Sequence, residues 1–140
     1  MKLTQHFSLE EMTKSQTGSR KNIDNTAPPE VVENLKALCE NVLEKIRIHF
    51  GRPLSINSGY RGPALNKAIG GAKNSQHMTG QAADIEIAGM DNKILFCWIK
   101  DNMEFDQLIL EFYKEGTPDS GWVHVSWNSQ GNRKQVLKID

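Results

Sequence analysis

The order of segments along the chain predicts a single α+β domain with a small, mainly antiparallel sheet and helices packed on one side. Three observations carry this. The longest helical periodicity, over residues 28–50, lies in the first half. Short strand-like segments over 82–87, 107–112, 122–127 and 135–139 crowd the second half. One further helical segment, 91–103, crosses among them. A chain of 140 residues is one domain, 1–140, and can bury a core without disulfides or a structural metal.

Each element has a local reason. At the N-terminus, Ser8 reads as a helix cap with Glu11 three residues on, as in a capping box, and Phe7 and Met12 flank it as a hydrophobic staple. Residues 15–26 are polar, with Gly18 and Asn25, and read as a loop. In 28–50, Val31, Leu35, Leu38, Val42 and Ile46 recur at steps of three and four, giving one apolar stripe. Prolines fit its first turn, and Gly51 and Pro53 stop it. Residues 54–58 alternate as a strand, and 63–69 form a short helix ended by Gly70 and Gly71. The helix over 91–103 is expected to bury Ile94, Leu95, Trp98 and Cys97.

Composition narrows the function classes. Seventeen basic and seventeen acidic side chains give zero formal net charge, which argues against nucleic-acid binding and gives no pull toward anionic lipid. No apolar run is long enough to span a bilayer, and no signal-like apolar region follows Met1. The expectation is a monomer, cytoplasmic as synthesised. Cys39 and Cys97 sit in apolar helical patterns and read as free thiols.

Chemistry concentrates in residues 75–84. His77 and Asp84 flank a turn at Gly80 that runs into the strand beginning at Ala82. His124 lies on a second strand, between Val123 and Val125. Imidazole and carboxylate are usual zinc ligands, and three protein ligands leave the fourth position open, as catalytic sites require. His6 and His49 lie far from this pattern and read as incidental.

The run Ser75-x-His77-x-x-x-Gly80 followed by Gln81-Ala82-Ala83-Asp84, with the late Val123-His124-Val125, resembles the D-Ala-D-Ala carboxypeptidase family of zinc peptidases. Residues 58–66, beginning Ser-Gly-Tyr-Arg, and residues 6–12 fit the same family, so the likeness covers nearly the whole chain, most closely its short phage or prophage-type members. The resemblance implies the D-Ala-D-Ala metallopeptidase/Hedgehog-like fold, with a zinc site on the sheet and His77, Asp84 and His124 as ligands. It implies a single-domain, endolysin-like hydrolase that cuts peptidoglycan stem peptides through a metal-activated water, as a carboxypeptidase or an endopeptidase. Such an enzyme would reach the wall after release by a holin or lysis.

The resemblance also implies that Arg61 contacts substrate near the scissile bond. A structural salt bridge is its other reading. Ser75 is expected to bind substrate or orient a ligand. Tyr60 and Trp122 are expected in the substrate groove or, alternatively, in the core. One feature departs from the family. Many members carry an acid three residues before the last histidine ligand, where this chain has Gly121. Two residues supply substitutes for the general base. Glu111 shares one strand face with Gln107 and Ile109. Asp119 sits in the loop just before the ligand. The missing acid keeps open a zinc-binding but non-catalytic wall or signalling module, and a structural phage component that contacts the wall.

Overall fold

The computed structural model describes residues 1–140. Two five-residue helices open it, α1 (Leu9–Thr13) and α2 (Gln16–Arg20). Ser8 caps α1 by accepting from the Glu11 N–H. Helix α2 lies in the stretch expected as loop. Ser15 caps it by accepting from the Gly18 N–H, and the Ile23 N–H closes on the Gly18 carbonyl. Local bonding thus overrides the poor helix propensity of Gly18.

The long helix is present in three pieces: α3 (Pro29–Leu38), a π-helical turn (Cys39–Leu43) and α4 (Glu44–Phe50). The extra residue in the π turn rotates the stripe, so that Leu38, Cys39, Val42, Leu43 and Ile46 are all fully buried. Burial pushes the Cys39 thiol up to about 12, and both cysteines are free. Gly51 closes α4 in the left-handed conformation.

Strand β1 (Ser55–Ser58), helix α5 (Pro63–Ala68), a 3₁₀ turn (Gln76–Thr79), β2 (Ala82–Glu86), α6 (Asn92–Asn102), β3 (Gln107–Glu111), β4 (Trp122–Ser126) and β5 (Gln135–Ile139) follow. The sheet runs β1-β2-β4-β3-β5. Its neighbours are antiparallel except β3 and β5, which are parallel. The fold is therefore α+β with a mostly antiparallel five-stranded sheet.

One sheet face, formed by Ala83, Ile85, Leu108, Leu110, Val123 and Val125, joins the core residues of α3, α4 and α6. Helix α6 turns a different side inward than expected. Leu95, Phe96 and Ile99 are buried, and Ile94 is exposed. Stepping by three and four from Asn92 fits this stripe as well as the one through Ile94. Trp98 instead stacks on His49 with ring centres 4.0 Å apart. The opposite face carries Asp84, His124 and Ile109, which are cross-strand partners in one row.

Candidate metal centre

Alternation along antiparallel strands puts directly opposed residues on the same face. Asp84 on β2 is opposite His124 on β4, so register alone brings a carboxylate and an imidazole together. The third group arrives from the chain just before β2. The 3₁₀ turn is capped by Ser75, whose Oγ accepts from the His77 N–H at 3.1 Å, and is ended by Gly80. This turn folds His77 over the row.

The three side chains are nearly withdrawn from solvent, at 3 % for His77, 8 % for Asp84 and 7 % for His124. Asp84 Oδ1 lies 3.3 Å from His77 Nε2 and 3.1 Å from His124 Nδ1. A tetrahedral ion with bonds of about 2.0–2.1 Å separates its ligand atoms by roughly 3.3 Å. The three groups therefore already stand at the spacing of such a coordination shell, with all ligand atoms within 4.8 Å of one another.

The hydrogen bonding is incomplete without a cation. His77 Nδ1 is 2.8 Å from the Gly59 carbonyl, which can only accept, so this nitrogen carries the proton. His77 Nε2 then turns a lone pair toward the Asp84 carboxylate. His124 Nε2 is buried with no partner at all. A cation held by His77 Nε2, Asp84 Oδ1 and His124 Nδ1 would take up the His77 lone pair, and this donor set suits zinc. Burial pushes the Asp84 carboxyl up, but the adjoining His124 and His77 imidazoles outweigh it. They hold the group well below the usual carboxylate range, ready to ligate.

Backbone contact explains how the Gly59 carbonyl reaches His77. A Cβ at Gly59 would lie 2.2 Å from the Met12 carbonyl oxygen at the end of α1. The Tyr60 N–H donates to that same oxygen at 2.7 Å. The N-terminal helix is thereby tied to the turn that orients His77.

A cavity of about 500 Å³ opens over the cluster and is lined by Arg61, Glu111, Trp122 and Arg133, among others. Arg61 Nη2 donates to Ser75 Oγ at 3.4 Å, and its Nε is buried without a partner. Burial lowers the pKa of Arg61, against the opposing charges of Asp84 and Glu111. Glu111 Oε2 accepts from Trp122 Nε1 at 2.9 Å, so the tryptophan borders the cavity and also fixes the acid. Ser75 sits between Arg61 and the His77 backbone and orders both.

Two of the candidate residues do not line this cavity. Tyr60 is buried in the core, because its backbone is pinned to α1. Asp119 borders a separate cavity with Glu86, Ala88 and Met90, because the loop after β3 carries it away from the cluster. Gly121 has φ +63°, and a Cβ there would lie 2.0 Å from the Glu111 carbonyl oxygen. No side chain fits at that position without displacing the end of β3.

Sequence reasoning missed Gln76, Asp106 and Arg133. Asp106 is 1 % exposed and accepts from Arg133 Nε, Nη2 and backbone N at 3.0 Å each, and from Gln76 Nε2 at 2.8 Å. Gln76 adjoins His77, so this knot fastens the ligand-bearing turn to the segment before β5. An acid at the mouth of a strand was the one available signal for Asp106. Nothing in the sequence marks Arg133 as its partner.

The family model described as Peptidase M15 matches residues 5–126. A zinc D-Ala-D-Ala carboxypeptidase of Streptomyces albus G is 47 % identical over 34 residues, which are 24 % of this chain and 13 % of that protein. The chain thus spans a small part of that relative's length.

Proposed function

The chain belongs to the peptidase M15 family, and from that premise we propose that it is a zinc metallopeptidase that hydrolyses peptidoglycan stem peptides, as a D-Ala-D-Ala carboxypeptidase or an endopeptidase. The observation that carries this is the convergence of His77, Asp84 and His124 under a cavity that also holds a guanidinium and a free carboxylate oxygen. Zinc, when bound there, polarises a peptide carbonyl and lowers the pKa of water to near 7.

The chain's own residues supply the rest. Arg61 offers a rigid fork of donors beside the cluster, suited to a carbonyl oxygen gaining charge or to a carboxylate. Glu111 is held through Oε2 by Trp122, and no protein donor reaches its Oε1. That oxygen accepts a proton from the attacking water and returns it to the leaving amine. Ser75 and the Gly59 carbonyl keep Arg61 and His77 in register. No helix is long and apolar enough to cross a membrane. An endolysin-like route to the wall, after lysis, belongs to the same proposal.

Mass spectrometry of stem peptides and cross-linked wall fragments, incubated with the protein, tests this. The expected result is loss of a terminal D-Ala or cleavage of an internal bond, abolished by chelator and restored by zinc. One zinc bound per chain, with no metal-dependent product from any wall type, would instead identify a non-catalytic binding module.

A further inference from the structure

The Arg61 side chain stands on the wall between two cavities. One is the metal cavity. The other, of about 510 Å³, runs between α2 and β1 and is lined by Lys14, Gln16, Arg20, Asn57 and Tyr60, among others. Its lining contains three cations and no carboxylate. Lys14 and Arg20 are exposed, and neither forms an ion pair. Arg61 has no carboxylate within ion-pair distance either, and its buried Nε is unpartnered. Four of the seventeen Lys and Arg side chains are paired, Lys36 with Glu40 among them. Arg133 is matched to Asp106, Lys93 to Glu115 and Lys134 to Glu104.

A concave lining whose only charged side chains are positive attracts anions. β1 is an edge strand, and its residues make no backbone hydrogen bonds beyond the ladder to β2. The floor of the cleft therefore also offers free peptide groups to an extended chain. Lys14 and Arg20 do not line the metal cavity. A group that they hold lies past Arg61, at a remove from the bond being cut.

We propose that the cleft between α2 and β1 recognises an internal carboxylate of the peptide substrate through Lys14 and Arg20, as an extension of the metal cavity across Arg61. This rests on the peptidase reading above.

The test uses one stem peptide in two forms, with the carboxylate of its D-glutamate free or amidated. Binding is measured by calorimetry on zinc-loaded E111Q protein, and kcat/KM on the wild type. The free acid should bind about five- to tenfold tighter at low salt and be favoured in KM more than in kcat. K14Q/R20Q should lose the preference in both assays, while R20K retains it. Both sites are exposed, so the variants should keep the parent's thermal midpoint. Equal or absent binding of the two forms, or a preference that survives K14Q/R20Q, would overturn the proposal. Failure of the peptidase reading looks different: neither form is hydrolysed, and the binding comparison still decides the cleft.

Discussion

Asp84 and Asp106 are both carboxylates almost shut off from water, at 8 % and 1 % exposure, and they sit on adjoining parts of one surface. Their surroundings differ. Four donors occupy the Asp106 oxygens, which is about all that a carboxylate can accept. Asp84 has two imidazoles at Oδ1 and no protein donor at Oδ2. One of its imidazoles also carries a nitrogen with no partner. A buried charge satisfied by the protein itself holds structure together. A buried charge with an oxygen left free is open to a ligand. Glu111 falls between them, with one oxygen fixed by Trp122 and the other free.

Removing charge at each site sharpens the contrast. Asp84→Asn should have the largest effect on function. Zinc affinity should fall by more than the roughly 10- to 100-fold that loss of an outer partner of a ligand costs, and hydrolysis should fall to background. The metal-free variant should melt less far below its parent than Asp106→Asn does, because Asp84 has imidazoles at one oxygen only, against four donors on Asp106. Zinc content after dialysis and a melting curve in chelator check both halves. A metal-free Asp84→Asn protein that melts as far below the parent as Asp106→Asn would place Asp84 beside Asp106 as a structural charge.

Glu111→Gln comes next. Glutamine can still accept from Trp122 Nε1, so the shape of the cavity should persist. A zinc-loaded variant with kcat lower by about 10²–10⁴-fold fits loss of a general base. Unchanged kcat with normal zinc content would remove Glu111 from the chemistry.

The sequence made the first of these sites more legible than the others. His77, Asp84 and His124 were legible from residue type, from the loop-to-strand pattern of residues 75–84 with the later Val123-His124-Val125, and from the family resemblance, whereas the register that sets Asp84 opposite His124 belongs to the folded sheet. Strand alternation also placed Glu111 on the site face, where it borders the metal cavity. Why Gly121 replaces the acid common in the family is different. The reason is a backbone contact with the end of β3, which no one-dimensional pattern contains. Helix α2, and with it the basic cleft, was hidden by Gly18 and by polar composition. The inward face of α6 was missed because two stripes fit one periodicity. Asp106 was unreadable for a further reason. Its role depends on Arg133 and Gln76, which are separated from it by 27 and 30 residues and brought together only by the finished sheet.

Asp106→Asn should have the smallest effect on chemistry and a clear one on stability. Hydrogen bonds from Arg133 hold the Asp106 carboxyl below its ordinary range, against the upward push of burial. A group depressed in the folded state contributes stability that is present above its unfolded pKa, about 3.9. That contribution disappears as pH falls through the lower folded value. Denaturant midpoints measured from pH 7 downward should therefore show an acid limb in the parent that is shallower in the variant. At neutral pH the asparagine loses charge-assisted bonds and sets an amide N–H against the Arg133 donors, at a cost of about 1.5–3 kcal/mol. Zinc stoichiometry should stay at the parent's value, because none of the three ligand residues is altered. Gln76 would lose its anchor, so KM and kcat should drift by less than the Glu111 substitution causes. If Asp106→Asn instead abolishes zinc binding while the fold survives, the knot around Asp106 is part of the metal site itself, and the division between a structural and a functional aspartate fails.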